Sequence, residues 1–207
     1  TKKKGLATYR ELMSNVSNKT NQSGRALTKV LESWVNNMFA RAATQMTQNP
    51  YGETNIERIA ETLMLEDCAK LQTLAYGYEF TMGLRLFWKA SRTSDINEKM
   101  TGQENVLRWF RGEFKTNQEA KKELGINAIV EDGNWFDYIM LWSQFFVLAG
   151  YRGFIILIDE LAYICNTANG ITRQNNYEKI LMMYNAALQG KAEYLGIIMG
   201  GIPKSIY

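Results

Sequence analysis

Residues 154–160 have the sequence FIILIDE and are the strongest fold signal in the chain. Five consecutive apolar residues, most of them β-branched, are typical of a strand that is buried on both faces, as in a parallel sheet. The run ends abruptly in two carboxylates, Asp159 and Glu160. The sequence therefore predicts a buried strand with an acidic carboxyl end.

A second strand is predicted close behind the first. Residues 194–199, YLGIIM, form another short apolar run, which ends at Gly200 and Gly201. Between the two runs, residues 166–175 have the composition of a polar loop, and a helical pattern follows that we expect to stop at Gly190. Strand, helix and strand in this order predict a right-handed parallel crossover, and hence an α/β fold for this part of the chain.

The ends of the two strands are the place to look for chemistry, because ligands of open parallel sheets bind beyond the carboxyl ends of the strands. An apolar strand that ends in Asp-Glu is the Walker B pattern of nucleoside triphosphatases. In that interpretation Asp159 holds hydrated Mg²⁺ and Glu160 orients or deprotonates the attacking water. The alternative is that the two carboxylates form an acidic N-terminal cap for the next segment.

The phosphate-binding half of a nucleotide site is absent from the sequence. No G-x-x-x-x-G-K-S/T occurs, and the one Gly-Lys pair, Gly190-Lys191, lies at a predicted helix end and is followed by Ala192. Without that loop a triphosphate lacks its backbone donors and its lysine. We therefore expect these 207 residues alone to bind ATP poorly or not at all.

The residues before Gly150 have mostly helical periodicity. Residues 25–48 place apolar side chains three and four positions apart, which predicts an amphipathic helix. Residues 67–90 are apolar nearly all round, which predicts a helix that is buried on several sides or forms a partner surface. Further helix starts are predicted at Gly5, Thr54, Thr101, Thr116 and Asp132, with capping patterns at Thr54, Thr101 and Thr116.

Composition excludes several classes of enzyme. The chain has no histidine and only two cysteines, which rules out histidine-dependent triads, imidazole zinc sites and four-thiolate zinc sites within it. Cys68 and Cys165 are expected to be buried thiols in a reducing cytosol, and a disulfide between them is the alternative. The sequence has no secretion signal and no apolar run of about 18 residues, so we expect a cytoplasmic protein without a membrane span.

The charge balance gives weak support for DNA binding. The net charge is only +3, and the run Lys2-Lys3-Lys4 supplies as many positive charges as that whole excess. A solvated terminus explains this run, and a phosphate contact is the alternative. The residues that DNA binding would use are Lys2, Lys3, Lys4, Lys19, Arg25 and Lys29.

Beyond these patterns, most of the chain resembles the ATP-binding proteins of bacterial phage-exclusion (BREX) systems, a P-loop family of the AAA+ kind. The resemblance is carried by FIILIDEL and by TRQNNYEKILMMYNAALQGKAEYLGIIMGGIP, and upstream by GLATYRELMSNVSNKT, VLRWFRGE and NWFDYIMLWSQFFVLAGYRG. It implies a parent protein that binds and hydrolyses ATP with Mg²⁺ and acts in defence against phage. Other phage-defence proteins are then its expected partners.

The resemblance also implies roles for individual residues. Asp159 is the Mg²⁺-site aspartate, Glu160 the catalytic carboxylate, and Gly200-Gly201 the sensor region that binds the nucleotide. The family usually has Gly-Gly-Thr-Pro at that last position, whereas this chain has Ile202 in place of the threonine. Isoleucine has no hydroxyl, so its side chain offers no polar sensor contact at this position.

In the family the Walker A loop lies upstream of a segment like residues 5–20 of this chain. The resemblance thus implies an internal fragment with three parts: residues 1–24, a helix and polar loop; residues 25–149, a helical region inserted in or packed on the ATPase core; and residues 150–207, a partial P-loop core with two parallel strands. Arg173 follows the first strand, either as an arginine finger or, as we expect, as a surface or helix-start residue.

Two further expectations concern the chain as a whole. A sheet of two parallel strands leaves open edges, so either the chain associates with itself or the helical region covers the sheet. The alternative to an ATPase fragment is a helical protein-interaction module with no nucleotide chemistry, in which residues 25–150 form the working surface.

Overall fold

The structure, a computed structural model, describes residues 5–22, 24–49, 51–159 and 169–201. Within these ranges the chain forms eight helices and two strands. In chain order they are α1 (Gly5–Ser14), α2 (Ala26–Gln48), α3 (Ile56–Leu71), α4 (Gly77–Ser91), α5 (Ile96–Phe110), α6 (Asn117–Leu124), α7 (Trp135–Leu148), β1 (Phe154–Ile158), α8 (Gly170–Leu188) and β2 (Leu195–Met199). The described chain is thus mostly helical, with one small parallel sheet.

Aromatic side chains from several helices form the centre of the core. The rings of Phe80 and Trp142 meet edge to face with centroids 5.0 Å apart, and Trp34 packs against Phe145 in the same manner at 5.4 Å. All four side chains are fully buried. Such edge-to-face pairs add to the stabilisation that burial itself provides.

Helix α1 is fixed to this core by hydrogen bonds to distant residues. The hydroxyl of buried Tyr9 donates to the carbonyl of Phe110 at 2.7 Å and accepts from Nε1 of Trp142 at 2.9 Å. At the start of the helix, the backbone N–H of Leu6 donates to Oδ1 of Asp132 at 2.9 Å. Because these bonds satisfy buried or terminal polar groups, they fix the position of α1 against α7.

The single helix predicted over residues 67–90 is wrong. Helix α3 ends at Leu71, and after a turn α4 begins at Gly77. Tyr76 lies in the left-handed region with φ 58°, and a Cβ at Gly77 would lie 2.1 Å from the carbonyl oxygen of Leu71. Only glycine permits such a close backbone approach, so this turn depends on Gly77.

Two predicted helix starts are also shifted. Helix α3 is capped by Asn55 rather than Thr54, and α5 begins earlier than predicted, capped by Asp95 rather than Thr101. Each of these two side chains accepts two hydrogen bonds from backbone N–H groups of the first turn. The start at Thr116 is confirmed, because its hydroxyl accepts from the backbone of the first turn of α6. Asn and Asp compete well with Thr as caps, which explains the shifts.

The two predicted strands and their parallel pairing are confirmed. Phe154–Ile158 pairs with Leu195–Met199 without an offset. Burial on both faces is not found among the described residues: Ile156 is buried, whereas Ile155 and Leu157 are 63% and 71% exposed. One face of the sheet packs on the helical core, and the other is open in the part of the chain that the structure describes.

Helix α8 begins earlier than the predicted polar loop allows. The side chain of Asn169 accepts from the backbone N–H of Thr172 at 3.0 Å, and the helix continues to a stop at Gly190, which has a φ of 69°. Met183 is its one buried residue. Large apolar residues of the helix are exposed instead: Ile171, Leu181, Met182, Tyr184 and Leu188. No described helix has the length and apolar character that crossing a membrane requires.

Candidate functional site

The carboxyl ends of β1 and β2 lie side by side, as the sequence predicts. The backbone N–H of Gly200 donates to the carbonyl of Ile158 at 2.8 Å, which continues the sheet pairing one step beyond the strands. The exposed side chain of Asp159 lies directly over this position. A Cβ built on Gly200 would lie 2.9 Å from Oδ1 of Asp159. The missing side chain at Gly200 therefore leaves room for the carboxylate against the backbone of the neighbouring strand.

This arrangement offers an accessible carboxylate oxygen at the edge of a parallel sheet. Among the described residues, no group of three or more Asp, Glu, Cys or His side chains comes together as a metal site. Mg²⁺ is nevertheless compatible with this edge, since the ion typically takes one or two carboxylates and fills its other positions with water and phosphate oxygens. Asp159 is an exposed carboxylate, and it therefore has the properties of such a Mg²⁺ ligand.

Two of the predicted site residues, Glu160 and Ile202, lie outside the described residues. Gly201 is described and exposed, one residue beyond Gly200. Arg173 lies in the first turn of α8, where its backbone N–H donates to the carbonyl of Asn169 at 3.0 Å. The structure thus brings Asp159 and Gly200 together and gives Arg173 an exposed helix-start position.

A groove beside β1 was not predicted from the sequence. It has a volume of about 920 Å³ and lies between the end of α1, the following loop and β1. The loop is organised by Asn18, whose Oδ1 accepts from the backbone N–H groups of Thr20 at 3.0 Å and Asn21 at 2.7 Å. Its Nδ2 donates to the hydroxyl of Tyr151 at 2.9 Å. The Asx turn at Asn18 was detectable from sequence, but its tie to Tyr151 was not.

The groove runs along the edge of β1 that faces away from β2. Among the described residues, β1 pairs with β2 and with no other strand. The groove lining includes apolar side chains from both sides: Leu12, Val16, Phe154, Ile155 and Leu157. An unpaired strand edge beside exposed aliphatic side chains is a ready site for a further strand.

Two buried residues of the helical region, Asp67 and Cys68, have structural roles. Asp67 is buried and bonds Arg41 at 3.0 Å, Lys70 at 3.1 Å and Nε1 of Trp34 at 3.4 Å, so its charge is compensated. Burial raises the pKa of the Cys68 thiol to about 12, which makes it a poor nucleophile at neutral pH. The predicted burial of Cys68 is confirmed.

The structure provides little evidence on the predicted roles of Cys165 and of the cations proposed for DNA binding. Cys165 and the run Lys2-Lys3-Lys4 lie outside the described residues. Of the cations proposed for DNA, Lys29 forms an ion pair with Glu32 at 2.7 Å. DNA binding therefore stays a prediction.

Comparison with known proteins places the chain in a family. The family model described as "BREX system ATP-binding protein BrxC/D" matches residues 1–207. No curated protein and no solved structure gives a significant match. The family match covers the strand ends and the helices alike, and it confirms the resemblance drawn from the sequence. The chain belongs to the BrxC/D family of BREX system ATP-binding proteins.

Proposed function

We propose that this chain is an internal part of a protein that binds and hydrolyses ATP in BREX phage defence. Its strand unit, β1–α8–β2, then forms half of a P-loop, AAA+-like core, with β1 as the Walker B strand and β2 as the sensor strand. The observation that supports this most is the position of Asp159, exposed at the end of one parallel strand and against Gly200 of the next. Other BREX components in the cytoplasm are the partners that the proposal implies.

The proposed roles follow from the chemistry of the residues. Asp159 holds Mg²⁺, which when bound neutralises charge on the phosphates. Glu160 orients a water molecule toward the γ-phosphate and accepts its proton. Gly200 and Gly201 let the backbone of β2 approach the nucleotide closely, because neither carries a side chain.

The phosphate-cradling loop must come from sequence outside these 207 residues, which contain no G-x-x-x-x-G-K-S/T. The strand that carries such a loop and its neighbours would extend the sheet beyond the two strands seen here. Exposed Ile155 and Leu157 and the groove beside β1 support this, since they offer an apolar face and an unpaired edge. Self-association through the same edge is the competing use of this surface.

The test uses the longest natural form of the protein and measures Mg²⁺-dependent ATP binding and hydrolysis. We expect Glu160→Gln to bind ATP but to lose turnover by roughly two to four orders of magnitude, the usual range for a general base. Asp159→Asn should weaken Mg²⁺-dependent binding as well. The matched control is Glu178→Gln, a carboxylate on the exposed side of α8, which should change neither quantity.

Three results would overturn the proposal or a part of it. Wild-type protein that binds no ATP with or without Mg²⁺ would overturn the nucleotide site itself. Normal turnover in Glu160→Gln or Asp159→Asn would show that the carboxylates at the end of β1 are structural caps. A chain of these 207 residues that binds ATP as tightly as the longest form would contradict the claim that the phosphate loop lies elsewhere.

A further inference from the structure

A second concave surface lies between α3 and α4, which are distant in sequence from the two strands. This α3–α4 groove has a volume of about 490 Å³. Three cations of α4 and its C-cap, Arg85, Lys89 and Arg92, line it at positions i, i+4 and i+7. They therefore share one helix face, about one turn apart. One carboxylate, Glu61 of α3, also lines the groove, so its lining carries a net positive charge.

The cations differ in how far they are already engaged. The guanidinium of Arg92 lies 5.2 Å from the ring centre of Phe39 and 5.6 Å from that of Trp88, and it pairs with Glu57 at 2.8 Å. It is thus fixed in place and largely neutralised. Arg85 and Lys89 are exposed and form no salt bridge with any described residue. Arg85 and Lys89 therefore give the groove two positive charges that have no ion-pair partner among the described residues, beside the one carboxylate of Glu61.

The groove also has an apolar component. Met64, Met82 and Leu86 line it, and the ring of Tyr78 is 62% exposed at one end. Methionine side chains adapt to irregular partners, which is why they recur at peptide-binding surfaces. A tyrosine that is exposed on a helix beside cations provides a further contact area at low entropic cost.

We propose that the α3–α4 groove binds an acidic amphipathic helix of a partner protein. The apolar face of that helix packs on Tyr78, Met82 and Leu86, and its carboxylates reach Arg85 and Lys89. Arg85 and Lys89 are one helical turn apart, and carboxylates one turn apart on a partner helix would match that spacing. The groove also has an apolar floor and a charged rim, the two features of helix-in-groove recognition. This inference does not depend on the proposed nucleotide site.

A nucleic acid fits this surface less well. Phosphate recognition favours an unbroken row of cations, whereas Glu61 lies in the wall and Arg92 is already paired with Glu57. A phosphate strand would meet repulsion from the first and little attraction from the second. Glu61 would also repel the carboxylates of an acidic helix, so the apolar lining decides between the two ligands. The exposed ring of Tyr78, with Met82 and Leu86, favours a peptide that has its own apolar side chains.

The experiment selects peptides from a displayed library of random sequences about 16 residues long, enough for roughly four helical turns. The 207-residue chain is the bait, and the variant Arg85→Glu/Lys89→Glu serves for counter-selection. The matched control is Lys121→Glu/Lys122→Glu on α6, which makes the same charge change on another exposed helix. A second groove variant, Tyr78→Ser, tests the apolar component, and circular dichroism checks the fold of each variant.

We expect the selected peptides to be acidic, with Leu, Met or Phe at helical spacing. A labelled consensus peptide should bind wild type and control equally, and its affinity for Arg85→Glu/Lys89→Glu should fall by at least about tenfold, with a weaker dependence on salt. Tyr78→Ser should also weaken binding. Absence of selected peptides, selection of neutral or basic sequences, or equal binding by folded groove variants would overturn the proposal. A single-stranded DNA oligonucleotide that binds the wild type more tightly than the consensus peptide does, and that no longer binds Arg85→Glu/Lys89→Glu, would overturn the proposal in favour of a nucleic acid.

Discussion

The helical region (α1–α7) and the strand unit (β1–α8–β2) bury similar apolar residues to very different degrees. Leu31 in α2 is 0% exposed, whereas Leu157 in β1 is 71% exposed and Leu181 in α8 is 57% exposed. The helices surround their own aromatic core, but the described strands are covered on one face only. The comparison teaches that the helical region supplies its own core, while the strand unit leaves similar apolar side chains exposed among the described residues, as we expect if further polypeptide covers it.

The largest expected effect comes from the same substitution made in both regions. Leu31→Ala should lower the free energy of unfolding by about 2–5 kcal/mol, because it removes a fully buried side chain and leaves a cavity. Leu157→Ala and Leu181→Ala should each change it by less than about 0.5 kcal/mol, since solvent already reaches both side chains. Urea unfolding followed by circular dichroism gives all three values.

Equal losses in Leu31→Ala and Leu157→Ala would break the comparison. They would mean that β1 is covered in solution, for instance by a second copy of the chain. Sedimentation of the wild type at several concentrations distinguishes such self-association from a cover within one chain.

A smaller effect is expected from the ion pairs of the helical region. Arg41→Met should cost about 1–3 kcal/mol, because it removes one of the partners of buried Asp67 and leaves that carboxylate less compensated. Its matched control is Arg58→Met, since Arg58 pairs with Glu53 in an exposed position. Exposed pairs contribute about 0–1 kcal/mol, so the control should change little. Similar costs for the two variants, measured by urea unfolding, would contradict the structural role of Asp67.

The smallest effect concerns pH and the first turn of α7. Burial raises the pKa of the Asp137 carboxyl above its ordinary value of 3.8. The folded state thus binds this proton more tightly than the unfolded state, so the contribution of Asp137 to stability is full below the ordinary pKa and is lost as pH rises through the raised one. Asp137→Asn should therefore gain stability relative to wild type as the pH rises from about 4 to 7.

Urea unfolding at several pH values measures this difference. Glu66→Gln, which removes an exposed carboxylate of α3, is the matched control for the loss of one charge. A difference for Asp137→Asn that shrinks with rising pH would show that the helix dipole, rather than burial, dominates at this carboxyl.

Local patterns predicted much of the fold. The two strands, their parallel pairing, α2 and the Thr116 cap follow from apolar periodicity and from capping chemistry, which act within a few residues. The break between α3 and α4 was missed because nothing local marks Tyr76 for the left-handed region. The exposure of Leu157 was missed for a different reason. An apolar strand predicts that both of its faces are buried, but the pattern does not identify the segment that packs on each face.

The candidate site was predicted only in part, for similar reasons. The positions of Asp159 and Gly200 follow from strand topology, because parallel strands place their carboxyl ends at one edge. The hydrogen bond between Asn18 and Tyr151 joins residues 133 positions apart, and no local pattern reports it. The cations Arg85 and Lys89 were overlooked because the apolar side chains of that segment dominate its pattern.

Amide hydrogen exchange tests the central claim most directly, by following β1 and α7 in one experiment. In the 207-residue chain, the amides of Phe154–Ile158 should exchange much faster than those of Trp135–Leu148. In the longest natural form with Mg²⁺ and ATP, exchange in β1 should slow by at least about tenfold while α7 changes little, because added strands and nucleotide protect the sheet. Two results would contradict this expectation. The first is equal protection of β1 and α7 in the 207-residue chain, and the second is unchanged protection of β1 in the longer form with Mg²⁺ and ATP.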